Sequence, residues 1–242
     1  MLSTRDDIKE AYRGAKTSGG YVAERFASEL NRLLHERQVD TINAVIRSVK
    51  PQRVLDIAPG PGRLTRDLDH VGMTVCLEYN EGMIEHGRLA CNGKATWTRG
   101  DGFHLPFAPA FDLIYCFRFI RHFHHEDRKR LYAEIKRVLT PGGYFIVDAV
   151  NDSISRPLRE AHPENYPIYD KLFRREELYA ELTNAGFEPT ELLPVQKHFD
   201  WQYRSQIFLG PRANWLNRLV IRALERSWCG DGLEWIATCR RK

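Results

Sequence analysis

Apolar positions along the chain follow two alternating rhythms. Short apolar runs at RVLDI (53–57), MTVCLEY (73–79), ATWTRG (95–100), FDLIYCF (111–117) and YFIVDAV (144–150) read as strands. Most are separated by stretches of helical spacing. The clearest is 126–139, where Leu131, Ile135, Val138 and Leu139 form a stripe that Pro141-Gly142-Gly143 closes. Ahead of the first strand, residues 21–49 read as helical, from Phe26, Leu30, Leu33 and Leu34 to Ile42, Val45 and Ile46, with Pro51 as the stop. Strands alternating with helices predict an α/β fold, a mostly parallel sheet with helices on both faces.

The rhythm changes after Asn151. Residues 151–173 are polar and interrupted by Pro157, Pro163 and Pro167. A helix over 174–185 ends at Gly186, a strand follows near 188–199, and 201–212 reads as irregular. A helix over 213–228 leads through Gly230-Asp231-Gly232 into a last strand, LEWIATC (233–239). Two late strands suit a sheet whose final strand inserts antiparallel. The organisation expected is a helical arm or cap over 1–49 and a core over 50–242, with insertions near 151–173 and 200–230.

Composition narrows the picture modestly. Net charge is 36 − 32 = +4 over 242 residues, too small to predict nucleic-acid binding and compatible with an anionic ligand or surface. The five cysteines are odd in number and lack a CxxC pair. Cys76, Cys116 and Cys239 lie in strand runs, so buried thiols in a reducing cytoplasm are expected. The polar start, MLSTRDDIKEAYRG, has no secretory h-region, and no apolar run approaches the roughly 20 residues that span a bilayer.

The candidate chemistry centres on VLDIAPGPGRLTRDL (54–68), a buried strand running into a glycine-rich turn and then, by expectation, a helix from near Pro61. Gly60 and Gly62 let a ligand approach the backbone, and free N–H groups at a helix start would face it. The dinucleotide fingerprint needs a small residue at 65, where this chain has Thr65, and the phosphate-cradling G-x-x-x-x-G-K-[ST] loop is absent. A bare strand-to-helix turn is the bland alternative. The loop has company, however. Asp56 ends the first strand, Glu78 ends the second, and Asp101 follows the third in TRGDGFHLPF (98–107). Glu78 can take both hydroxyls of a ribose, Asp101 can accept from an adenine amino group, and Phe103 can pack on the ring. Three carboxylates at one sheet edge form a nucleoside-binding constellation.

Taken in order, VLDIAPGPGRLT, CLEYNEGMIEHGR (76–88), GDGFHLPF, FDLIYCFRFIRHF (111–123) and IKRVLTPGGYFIV (135–147) resemble the class I S-adenosylmethionine-dependent methyltransferases. The resemblance is greatest to the small-molecule group that includes ubiquinone and menaquinone biosynthesis enzymes, and it covers about residues 40–150. Ala58 stands where the family loop usually has its first glycine. The resemblance implies a Rossmann-like seven-stranded sheet of order 3-2-1-4-5-7-6 and S-adenosylmethionine as cofactor, with S-adenosylhomocysteine as product. It implies that Asp56, Ala58 and Gly60 line the methionine end, with Pro59 and Gly62 also among the cofactor-binding residues, that Glu78 holds the ribose with Tyr79 against the adenine, and that Asp101 and Gly102 meet the adenine. Phe117 would lie near the sulfonium, and Tyr21 and Arg25 in the N-terminal segment are candidates for the cofactor carboxylate.

Methyl transfer is an in-line displacement in which the cofactor carries the reactive carbon, so the protein mainly binds and aligns. In FRFIRHFHHEDRK (117–129), Arg118 or Arg121 could hold a carboxylate, phosphate or phenolate of the acceptor, with His122 as a base. Ion pairs to Glu126 and Asp127 are the structural alternative. His122, His124 and His125 lack a zinc spacing, and no metal is expected. Tyr166, Tyr169, Phe173, Phe199, Trp201 and Tyr203 could shape an acceptor pocket or simply fill a core. The helix over 213–228 mixes Trp215, Leu219, Val220 and Leu224 with Arg218, Arg222 and Arg226; it could lie on an anionic membrane or pack on its own domain.

The expected function is methyl transfer to O, N or C of a small, acidic or aromatic acceptor in the cytoplasm, with no nucleic-acid partner. The fourth strand lacks the D/N-P-P-Y/F tetrapeptide and Pro-Cys nucleophile of some nucleic-acid methyltransferases. A non-catalytic cofactor-binding or scaffold protein of the same fold is the alternative. A nicotinamide-dependent oxidoreductase is a third reading, disfavoured by Thr65.

Overall fold

The computed structural model describes residues 28–69 and 71–242. The strand runs fold where expected: β1 (Arg53–Ile57), β2 (Met73–Glu78), β3 (Thr96–Arg99), β4 (Phe111–Cys116) and β5 (Leu139–Asn151) pair in parallel. After β6 (Leu172–Phe173) come β7 (Phe187–Lys197) and β8 (Gly232–Arg241); β8 runs antiparallel between β5 and β7. The path is β3-β2-β1-β4-β5-β8-β7, the expected Rossmann-like order for the seven longer strands. The seven-stranded count is corrected to eight: β6, two residues long, pairs with the far end of β5 at Val150 and Asn151.

Alternation along the strands supplies two cores. Leu113, Tyr115 and Ile146 face one side, where α1 (Glu29–Val49) lays down Leu34, Ile42, Val45 and Ile46. Ile114, Cys116, Phe145 and Val147 face the other, against Leu131, Ile135 and Val138 of α3 (His125–Val138) and Leu178 and Leu182 of α5 (Arg175–Asn184). Between these, α2 (Glu81–Cys91) follows β2 and α4 (Asp152–Ala161) follows β5. All five cysteines are free thiols and only Cys229 is exposed. Among the described residues no helix is long and apolar enough to cross a membrane.

Three expectations change. No α-helix starts at Pro61: Gly62 sits at φ +72°, in the left-handed region, and the chain makes turns and then a single 3-10 turn at Thr65–Asp67. The Pro141-Gly142-Gly143 segment lies inside β5, where it bulges out between the pairs Phe111–Leu139 and Leu113–Tyr144; α3 has already ended at Val138. The segment 201–212 is not irregular. Residues Phe199–Phe208 form α6, which packs beside α7 (Asn214–Glu225) between β7 and β8.

Candidate functional site at the carboxyl edge of the sheet

The first loop is wired from below. Asp56, at the end of a central strand, is buried and accepts a 2.6 Å hydrogen bond from the Thr65 hydroxyl, which also meets the Tyr115 hydroxyl at 2.8 Å. Burial pushes the Asp56 carboxyl up to about 7, against the opposing pull of those two hydroxyls. Thr65, the residue that breaks the dinucleotide pattern, is therefore the strut under this loop. Ala58 takes φ +57°, a left-handed conformation, with its N–H bonded to the Leu77 carbonyl at 2.9 Å. Gly60 repeats that conformation at φ +57°, with open space where a Cβ would stand. Gly62 is different: a Cβ there would meet Cys91 Sγ at 2.6 Å.

Glu78 joins the second strand to this loop. Its Oε2 accepts from the Gly60 N–H at 3.0 Å, and its Oε1 accepts from the N–H groups of Tyr79 and Asn80, each at 2.9 Å. Burial raises its carboxyl, and the three N–H groups act in the opposite sense. Tyr79 beside it is exposed. At the third strand, Asp101 Oδ1 accepts from the Phe103 N–H at 3.0 Å. Phe103 itself turns into the core, edge-on to Phe123 at 5.0 Å. Gly102 lies buried against the Phe119 ring, where a Cβ would come within 3.1 Å.

Beyond β4 the chain makes a left-handed step at Arg118, φ +57°. Asp148 of β5 holds that step: its Oδ1 accepts from the Arg118 N–H at 2.6 Å, and its Oδ2 from Arg121 at 3.0 Å. Arg121 is buried. It donates to Glu234 Oε1 at 2.7 Å and lies 3.4 Å from Asp170. Burial opposes its charge, but these carboxylates raise its pKa well above the usual value. The ion pairs weighed for it at Glu126 and Asp127 are thus replaced by three carboxylates from distant segments. His122 is buried too, with Nδ1 2.7 Å from Asp170 and 3.1 Å from the Tyr169 carbonyl. Burial alone would raise the Asp170 carboxyl; Arg121, His122 and Arg159 hold it well below the carboxylate range. Phe117 is buried at the end of β4, tilted against Tyr115.

Arg63 was not singled out by its sequence. From the first loop it reaches α1, meeting His35 Nδ1 and Gln38 Oε1 at 2.6 Å each. Burial, then repulsion from Arg118, push its pKa down to about 10. Asp148, Asp170 and Glu234 also escaped notice, although a lone carboxylate inside YFIVDAV or LEWIATC is a signal of a buried ion pair. No group of three or more His, Cys, Asp or Glu among the described residues is arranged to hold a metal. Tyr21 and Arg25 lie outside the described residues.

Residues 55–147 match a family model described as a methyltransferase domain. A ubiquinone/menaquinone biosynthesis C-methyltransferase, UbiE, of Pseudomonas fluorescens is 32% identical over 132 residues, covering 50% of this chain and 49% of that protein. The chain thus spans about half the length of the curated relatives it matches. Among solved structures, magnesium protoporphyrin IX methyltransferase of Synechocystis with bound S-adenosylhomocysteine is similar at TM-score 0.67 and 12% identity, covering 97% of this chain and all (100%) of that one. N-methyltransferase NodS of Bradyrhizobium japonicum is similar at TM-score 0.64 and 14% identity, over 96% and 97% of the two chains. At these identities the likeness shows the fold. Segment 55–147 is a class I S-adenosylmethionine-dependent methyltransferase domain, with its glycine-rich loop and its three strand-end carboxylates side by side at the carboxyl edge of the sheet.

Proposed function

We propose that the protein transfers the methyl group of S-adenosylmethionine to O, N or C of a small acceptor that is acidic or aromatic. The observation that carries this reading is the Glu78 carboxylate, bonded to the Gly60 N–H and so positioned by the glycine loop itself. The residues present suit the cofactor on three further counts. Space is open above Gly60, where a Cβ would meet nothing within 4 Å. Burial disfavours the charge of Arg63 in the glycine loop, a charge that an amino-acid carboxylate would stabilise. The Asp56–Thr65–Tyr115 chain fixes the loop before any ligand arrives.

When bound, S-adenosylmethionine supplies the methyl group as an electrophilic sulfonium carbon. In this reading Asp56, Ala58, Pro59, Gly60 and Gly62 line its methionine end, with Arg63 added to that group. Glu78 holds the ribose, Tyr79, Asp101 and Gly102 border the adenine, and Phe117 walls the sulfonium side. Arg118 binds the anionic or phenolic group of the acceptor. Arg121 acts through Asp148 as a positioning residue, since its own guanidinium is enclosed. His122 takes a proton only where the acceptor must lose one, its ring held by Asp170.

Calorimetric titration with S-adenosylmethionine and S-adenosylhomocysteine tests the reading. Binding by the wild type, weakened at least tenfold in Glu78→Ala, is the expected result; silence with both ligands overturns it and favours a scaffold role. For the acceptor, Arg118→Ala should raise KM for carboxylic acceptors without altering S-adenosylhomocysteine affinity. An unchanged KM removes Arg118 from the site.

A further inference from the structure

The helical pair α6–α7 is built inside out. Its polar residues point inward: Gln202 and Asn217 are each 0% exposed, and Ser205 and Glu225 are buried with them. Ser205 donates to Asn217 at 2.9 Å and Gln202 to Glu225 at 3.2 Å, so a hydrogen-bonded seam joins the helices where a water-facing pair would have an apolar one. Ile221 packs on Leu30 and Leu33 of α1, but Trp201, Tyr203, Ile207, Phe208, Trp215 and Leu219 are exposed. Trp201 and Phe208 are each 64% exposed, Trp215 69% and Leu219 57%, and the groove between the helices is floored by Val220 and Leu224. Exposed apolar residues scattered singly need no explanation, but Trp201, Phe208, Val220 and Leu224 share one groove, and Trp215 and Leu219 stand one turn apart on α7.

Charge indicates what covers this face. Residues 199–228 carry Arg204, Arg212, Arg218, Arg222 and Arg226 against only Asp200 and the buried Glu225, a balance of 5 − 2 = +3. Arg222 is tied to Glu36 at 2.7 Å, Arg204 lies over the Trp201 ring at 5.5 Å, Arg212 donates to the Phe208 carbonyl at 3.0 Å, and Arg218 and Arg226 are exposed. Two copies meeting through this face would bring like charges together, whereas anionic headgroups would neutralise them. Tryptophan and arginine side by side are suited to the interface between headgroups and acyl chains, where each keeps its polar end wet.

We propose that the α6–α7 face is a docking surface for a bilayer containing anionic phospholipids, on which the protein rests without spanning it. The pair joins the carboxyl-edge end of β7 to the start of β8, so docking sets the Arg118–Glu234 edge beside the membrane. A lipophilic acceptor could enter from the acyl layer.

Flotation of the full chain with vesicles tests this, using phosphatidylcholine alone or with about a third phosphatidylglycerol. The wild type should float with the anionic vesicles and lose binding in high salt. Trp201→Gln/Trp215→Gln/Leu219→Gln, which alters only exposed positions, should reduce binding at least tenfold. Arg204→Gln/Arg218→Gln/Arg226→Gln should also lower it, on the order of tenfold or more, and abolish the preference for anionic lipid. Circular dichroism matching the wild type checks that both variants fold. Absence of vesicle binding by the wild type in low salt, or equal binding by all three proteins, overturns the proposal. A concentration-dependent dimer that the tryptophan variant dissociates, without vesicle binding, overturns it in favour of a second copy.

Discussion

Asp56 shows how a single buried side chain carries both a loop and a pH dependence. Its carboxyl stands near 3.8 in the unfolded chain and about 7 in the fold, so the folded state binds the extra proton between those values. Stability contributed by this group is therefore present below the unfolded value and lost as pH rises toward 7, with a limiting slope of about 1.4 kcal/mol per pH unit. Asp56→Asn should flatten that slope and be more stable than the wild type at pH 8, as read by urea unfolding across pH. Arg118 and Arg121, three positions apart, should behave in opposite ways. Arg121→Ala leaves Asp148, Asp170 and Glu234 buried without their shared cation and should cost roughly 3–5 kcal/mol. Arg118→Ala, whose backbone N–H keeps its bond to Asp148, should cost under about 1 kcal/mol in the same assay. Their sequence context, FRFIRHF, does not separate the two. Burial of Arg121 is decided by carboxylates at 148, 170 and 234, which only the folded sheet brings together.

The loop after β1 turns on two glycines whose surroundings differ. Gly60→Ala meets no neighbour and suffers only the left-handed backbone, about 1–2 kcal/mol. Gly62→Ala adds a collision with Cys91 Sγ to the same backbone strain, and thermal denaturation should rank it clearly below Gly60→Ala. Strand positions were legible because buried central strands read as apolar runs, and β1 falls on the expected residues. Helix α6 was not legible for a physical reason. Periodicity analysis looks for an apolar stripe facing inward, but α6 buries Gln202 and Ser205 and exposes Trp201, Tyr203, Ile207 and Phe208. The missing helix after β1 has its own cause: the glycines that signal a ligand loop also place Gly62 in the left-handed region and break the helical path.

Across the whole molecule, the strand order was legible from alternation and from the motif series together, while the two-residue β6 lacks any local pattern of its own. Ligand binding should appear as global stabilisation. At S-adenosylhomocysteine a hundredfold above its Kd, mass action adds about 2.7 kcal/mol, or roughly 5–10 °C in Tm, and a Glu78→Ala variant binding at least tenfold more weakly should show about half that shift or less at the same concentration. The place of β8 has a consequence for how the chain acquires its shape during synthesis. Ribosomes release β1 to β5 early, and these five can pair as they emerge. By contrast β7 has no neighbour until β8, made after it, slides between it and β5. Glu234 travels on that later strand, so Arg121 gains this counter-charge only once β8 has emerged. A nascent chain halted after α7 would hold a half-closed sheet with β7 unzipped, the form that chaperones would be expected to meet.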